Sequence, residues 1–258
     1  MTQRLEDLAF ALSKKRKMKL QKQIGFEFEI GSPIGLRTVC KKIKDELGIV
    51  GLKTVEEFTV ETQLKCDGEI ITPVWPFRKG MVNLRRIFRW FEKNGILTND
   101  TCGFHVNLSY KRKELNYMMD PMRLVLCFNE EKWLKVCKRR DNDYIQCYID
   151  ELILDSRRRV FANEEKVYNW IDKKIEDLKD KYRTVNIEKL EEDNPYIEYR
   201  CLGGKGYHLR SNIMFKAIMD MANNMDRALP NGRGTSFMTK KVRECFSRKD
   251  KYKSFVPH

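Results

Sequence analysis

Two glutamates spaced two residues apart are the first sign of chemistry in this chain. Glu27 and Glu29 lie in the segment 25–31, where apolar and acidic residues alternate as they do in a β-strand. Both carboxylates then project from one face and repel each other unless a cation lies between them. Hard divalent cations such as Mg²⁺ and Mn²⁺ prefer oxygen ligands. The alternative explanation is an antiparallel strand with one solvated face, where glutamates are ordinary.

The same polar pattern recurs on other segments that alternate as strands. These are 57–65 and 69–74, joined by the hairpin-turn signal Asp67-Gly68, then 102–109 and 195–202. If they share a sheet with the first strand, one face carries a set of polar side chains: Glu27, Glu29, Glu61, Glu69, His105, Asn107, Glu198 and Arg200. So many acids on one face require cations, and the agreement between strands favours a metal site over a solvated surface.

Helical segments surround these strands. Apolar spacing and capping signals predict helices at 36–47, 78–93 and 206–228, and a largely helical middle at 113–181. We therefore expect an α+β fold, with an antiparallel sheet whose acidic face binds metal and with helices on the other side. The expected organisation is a basic N-terminal helix at 1–22, a catalytic domain at 23–230 and a basic C-terminal tail at 231–258.

Composition and charge narrow the class of protein. The 258 residues are 41% hydrophobic and include no apolar run long enough to span a membrane, and we expect no signal peptide because residues 1–10 lack a long apolar core. Eight cysteines without a C-x-x-C pair indicate reduced thiols and a cytoplasmic location. The net charge of +14, concentrated at Lys14–Lys22 and in the tail, makes a polyanion such as nucleic acid a candidate partner.

Five motifs in order along the chain resemble one known family. They are G-F-E-F-E-I-G (25–31), G-E-I-I-T-P (68–73), C-G-F-H-V-N-L-S (102–109), Y-R-T-V-N-I (182–187) and I-E-Y-R (197–200). The set is similar to the amidoligases, which belong to the glutamine synthetase and glutamate–cysteine ligase superfamily. The resemblance implies a glutamine synthetase-like catalytic fold in which carboxylates and one histidine bind two or more Mg²⁺ or Mn²⁺ ions beneath ATP.

The resemblance also implies roles for individual residues. Glu29, Glu61 and Glu69 look like the ligands of one metal ion, although the family often has Asp-Gly-Ser where Glu61 stands. A second metal ion would be bound by Glu27, His105 and Glu198. Four further residues would bind ATP: Arg183, Asn186, Arg200 and Asn107. The two arginines among them would hold its phosphate groups and would also be catalytic.

The implied activity is ATP-dependent ligation of a carboxylate to an amine. ATP phosphorylates the carboxylate, an amine displaces phosphate from the acyl phosphate, and one spare carboxylate acts as base. The partners would be a small-molecule or peptide acid and an amine, and no membrane. Two alternatives remain open: a phosphoryl transferase on the same scaffold, and a non-catalytic nucleic-acid- or protein-binding member of the fold.

Overall fold

The computed structural model describes residues 20–56, 66–140, 145–230 and 242, and these residues form a mixed sheet-and-helix structure. The strands are β1 Lys22–Ser32, β2 Lys53–Val55, β3 Cys66–Ile71, β4 Trp75–Pro76, β5 Gly103–Tyr110, β6 Val185–Asn186 and β7 Ile197–Gly203. The α-helices are α1 Leu36–Leu47, α2 Phe77–Lys93, α3 Lys113–Tyr117, α4 Pro121–Leu126, α5 Glu130–Cys137, α6 Tyr148–Ser156, α7 Glu164–Asp177 and α8 Ser211–Ala228. Short 3₁₀ turns occupy Glu188–Leu190 and Tyr207–Arg210.

The sheet has β1 near its centre. Its strand order is β2-β3-β1-β5-β7-β6, β4 also pairs with β1, and each of these pairings is antiparallel. Because β1 is flanked on both sides, its side chains have close neighbours on two strands. This arrangement agrees with the expected α+β class and antiparallel sheet.

The apolar face of the sheet is packed by aromatic side chains. Phe28 stacks on Phe104 of β5 with ring centroids 5.4 Å apart, and it meets Phe91 of α2 edge to face at 5.4 Å. On β7, the Tyr199 ring lies 5.0 Å from the Phe128 ring, and the Tyr199 hydroxyl donates to the carbonyl of Met221 in helix α8. Packing of this face against a helical layer fixes the strand register, since a one-residue slip would place the acids against the apolar helices.

Most of the predicted elements agree with the structure. Helix 36–47 is confirmed, and it ends at Gly48, which adopts the left-handed conformation typical of a helix C-cap. The predicted helix 206–228 begins with a 3₁₀ turn before α8. The middle segment is largely helical, as expected, and its described residues form five separate helices, with N-caps such as Asp120 and Asn129 at their starts.

The predicted hairpin turn at Asp67-Gly68 is wrong. Both residues lie inside β3, where Asp67 pairs with Gly31 and Gly68 with Ile30. The turn signal is local, and it is overridden here because pairing with β1 extends the strand through both residues. The predicted strand 57–65 lies outside the described residues, as does Glu61. The basic segments also lie outside them, except for residues 20–22, which lead into and begin β1, and residue 242.

In the part of the chain that the structure describes, no helix is long and apolar enough to cross a membrane.

Candidate metal and phosphate site

The strand register brings the predicted ligands onto one face. Glu27 lies directly opposite His105, and Glu29 lies opposite Glu69. On the far side of β5, Asn107 lies opposite Glu198. Directly opposed side chains on one face are about 5 Å apart at their Cβ atoms, so five of the six predicted metal ligands form one cluster. The sixth, Glu61, lies outside the described residues.

His105 lies at the centre of this acidic cluster. Its Nδ1 atom is 3.2 Å from Glu27 Oε2 and 3.4 Å from Glu198 Oε1. Its Nε2 atom is 3.4 Å from Glu29 Oε1. The histidine is only 3% exposed, so these contacts occur in a largely water-excluded setting.

The cluster contains two overlapping groups of ligand atoms. Glu27, His105 and Glu198 form one, and Glu29, Glu69 and His105 form the other, with the ligand atoms of each group within 4.8 Å of one another. Carboxylate oxygens with one imidazole nitrogen suit Mg²⁺ or Mn²⁺. The donor set therefore fits the divalent cations that the sequence predicts, although His105 is shared between the two groups.

Other side chains orient the carboxylates. Asn107 Nδ2 donates to Glu27 Oε1 at 2.6 Å, and the fully buried Asn186 donates from Nδ2 to Glu198 Oε2 at 2.8 Å. The backbone N–H of Gly103 donates to Glu29. A Cβ atom on Gly103 would lie 2.6 Å from His105 Nε2, so the close approach of these groups requires glycine here.

The crowded carboxylates have opposite pKa shifts. Burial, and then the charges of Glu27 and Glu29, raise the pKa of Glu69 to about 9. Burial would also raise the pKa of Glu27, but hydrogen bonds from His105 and Asn107 outweigh it and hold that pKa well below its usual range. Without a metal ion, Glu69 therefore holds a proton at neutral pH that a cation must displace.

Arg200 reaches the cluster from an irregular point in β7. The register between β5 and β7 shifts between Phe104 and Val106, so that Arg200 and Cys201 both lie opposite His105. Such a bulge redirects a side chain. Arg200 Nη1 lies 2.5 Å from Glu198 Oε1, and its Nε atom is buried without a hydrogen-bond partner.

Arg183 is held by a different set of groups. Its Nε donates to the Leu178 carbonyl at 2.9 Å and its Nη1 to Glu151 at 2.5 Å. Its guanidinium carbon lies 5.2 Å from the centre of the Tyr148 ring. None of these partners belongs to the acidic cluster, so the structure does not bring Arg183 to it, and its role with phosphate stays a prediction.

A trough of about 560 Å³ continues from the cluster along the same face of the sheet. Its floor includes Gly25, Glu27 and Asn107, one side is formed by Ile71, Thr72 and Val74, and the other by Pro195 and Tyr196. A Cβ atom on Gly25 would stand in this floor, 3.8 Å from the Asn107 Cβ. The trough has the size of an ordinary small-molecule site.

Arg139 is a further residue at the cluster, and the sequence analysis did not find it. It follows α5, is 3% exposed, and donates from Nη1 to the Leu202 carbonyl at the end of β7. Nothing in its local sequence distinguishes it from Arg140 beside it, because only the packing of α5 against β7 brings it to the sheet.

Fold and cluster together define an α+β protein with a carboxylate–histidine site on one face of an antiparallel sheet. The chain belongs to the amidoligase family, since the family model described as “Putative amidoligase enzyme” matches residues 48–208, more than half of its length. Glu69, His105 and Glu198 lie within the match, whereas Glu27 and Glu29 precede it. No curated protein matches the chain. Family membership identifies a ligase-type enzyme.

Proposed function

We propose that this amidoligase is an ATP-dependent carboxylate–amine ligase that forms an amide bond through an acyl phosphate. The observation that carries the proposal is the pair of ligand groups sharing His105, located at the inner end of a trough of nucleotide size. A glutamine synthetase-like fold for the catalytic domain is part of the same proposal, and the antiparallel sheet with its acidic face supports it.

The proposed roles follow from position. The trough would hold the nucleoside of ATP, with Asn107 in its floor and Gly25 leaving that floor open. Glu27, Glu29, Glu69, His105 and Glu198 would hold Mg²⁺ or Mn²⁺, which supplies positive charge to the phosphate oxygens. Arg200, beside Glu198, would contact the phosphoryl group as it is transferred.

The proposed reaction has two steps. A carboxylate oxygen of the acid bonds to the γ-phosphorus as the bond from that phosphorus to the β,γ-bridging oxygen breaks, and ADP leaves with the electron pair. The amine then bonds to the acyl carbon, phosphate leaves, and a carboxylate of the site accepts the amine's proton. The buried face restricts water, which would otherwise hydrolyse the acyl phosphate.

The test is ATP turnover with Mg²⁺ against a panel of amino acids, amines and peptides, with ADP and product mass as readouts. The proposal predicts ADP formation that requires both an acid and an amine, and a product whose mass is the sum of the two less one water. Glu198→Gln should abolish turnover, whereas Glu92→Gln, an exposed residue of α2, should not. A product heavier by one phosphoryl group would instead indicate a phosphoryl transferase.

A further inference from the structure

Two arginines at the acidic cluster each have a buried N–H group without a partner. These are the Nε atoms of Arg139 and Arg200. A buried donor without an acceptor costs free energy, and a bound anion is one way to supply that acceptor. Two such donors from charged groups, close to a proposed phosphoryl-transfer site, point to an anion that is bound during the reaction.

Arg139 lies on the acidic face of the sheet. Gly103, the first residue of β5, is directly paired with Gly203, the last residue of β7. A Cβ atom on Gly203 would lie 2.4 Å from Arg139 Nη1, and one on Gly103 would lie 2.9 Å from Glu29 Oε1. The Arg139 guanidinium and the Glu29 carboxylate thus fill adjacent spaces that two missing side chains leave open.

The backbone before Arg139 is specialised for this placement. Lys138 has φ 58°, and it is the one non-glycine residue with positive φ among the residues described. A lysine adopts this left-handed conformation with strain that glycine would not have. The turn directs Arg139 from the end of α5 back to β7, where it donates to the Leu202 carbonyl.

Charge balance explains why these arginines need a second anionic partner. Without metal, they neutralise carboxylates: Arg200 bonds to Glu198, and Arg139 interacts electrostatically with Glu29. Divalent cations bound to these carboxylates would reduce that neutralisation, and the positive charges of Arg139 and Arg200, which already act on each other, would then lack compensation. An oxyanion between them would restore the balance and satisfy both Nε–H groups.

We propose that Arg139 and Arg200 together form the site that binds the γ-phosphoryl group of ATP, with Arg139 as its second arginine. This inference rests on the proposed function and assigns to Arg139 the contact that sequence analysis gave to Arg183. The site recognises a phosphoryl group in transfer, and it distinguishes a nucleoside triphosphate from a diphosphate.

The test compares two ligands by calorimetry in the presence of Mn²⁺: ADP and the non-hydrolysable β,γ-imido analogue of ATP. Wild-type protein should bind the analogue at least about 10-fold more tightly than ADP, as one charge-assisted contact provides. Arg139→Met should remove most of this preference and leave ADP affinity unchanged. Arg140→Met is the matched control, since Arg140 is exposed and pairs only at 3.4 Å with the exposed Glu131.

Arg139→Lys is a second variant, included in case Arg139→Met does not fold. It keeps the positive charge and the aliphatic part of the side chain but loses the planar set of guanidinium donors. It should fold, bind ADP normally and lose most of the preference. The proposal is overturned if either folded variant keeps the wild-type preference, if both ligands weaken equally, or if neither variant folds. Wild-type protein that binds neither nucleotide would refute the proposed function itself.

Discussion

Replacing Glu69 by glutamine should stabilise the metal-free protein, by an amount that grows with pH. Glu69 has its pKa raised from 4.5 to about 9 in the folded protein. Between these values the folded state holds a proton that the unfolded state has released, so raising the pH favours unfolding. A glutamine has no proton to lose, and its gain over glutamate therefore rises with pH up to about 9.

The magnitude follows from the shift. Each pH unit above the ordinary pKa costs about 1.4 kcal/mol of unfolding free energy, which gives an upper limit of about 4 kcal/mol at pH 7.5. The lowered pKa of Glu27 depends partly on a hydrogen bond from Glu69, which an amide can only partly replace. We therefore expect a gain of about 1–4 kcal/mol at pH 7.5, and less at pH 5.5.

The assay is urea unfolding in chelator at several values of pH between 5.5 and 8.5, with variant and wild type compared at each. Glu92→Gln on the exposed face of α2 is the control and should show no pH-dependent difference. Added Mn²⁺ should reverse the order, because it binds and stabilises the wild type more strongly than the variant. A variant that is less stable than wild type in chelator at pH 8.5 would refute the reasoning.

Three further results are expected. Arg200→Lys should lower ATP turnover at least about 100-fold with near-normal folding, because the lysine ammonium cannot make the two-pronged contact of a guanidinium with the phosphoryl group. Turnover is measured as ADP formed with the true substrates present, and a normal rate would show that Arg200 of β7 does not serve phosphoryl transfer. Gly25→Val should weaken ATP binding in calorimetry and leave nucleotide-free Mn²⁺ binding unchanged, since it fills the floor of the trough; unaltered ATP affinity would mean that the nucleoside binds elsewhere. Mn²⁺ at millimolar concentration should raise the melting temperature of the wild type, and Glu29→Gln should reduce that shift; a melting temperature indifferent to Mn²⁺ argues against the metal site.

The face of each strand could be predicted from the sequence because alternation has a period of two. No tertiary information was needed to predict that Glu27 and Glu29 project from the same face of their strand. The same holds for His105 and Asn107 on theirs. Glu69 could be placed on the same face as Glu29 by assuming that the strands share a sheet, but the direct pairing of the two residues was not predicted. The glycine requirement at Gly103 was not predicted, since it arises only when His105 and Glu29 approach its Cα from neighbouring positions.

Features that depend on contacts between distant parts of the chain could not be predicted from local sequence patterns. The Asp67-Gly68 pair is a turn signal in isolation, yet pairing with β1 makes it part of a strand. Arg183 matched a family motif, but its bonds to Glu151 and the Leu178 carbonyl could not be predicted from that motif. Arg139 follows a helix end and bonds to Leu202 of β7 across a sequence separation of 63 residues, and no spacing rule connects the two.

The most direct test of the account is anomalous diffraction from crystals soaked with Mn²⁺ and the β,γ-imido analogue of ATP. The account predicts manganese peaks within bonding distance of His105 and the surrounding carboxylates, with the triphosphate above them and the nucleoside in the trough floored by Gly25. Manganese bound elsewhere, or a nucleotide bound away from the acidic face of the sheet, would contradict it.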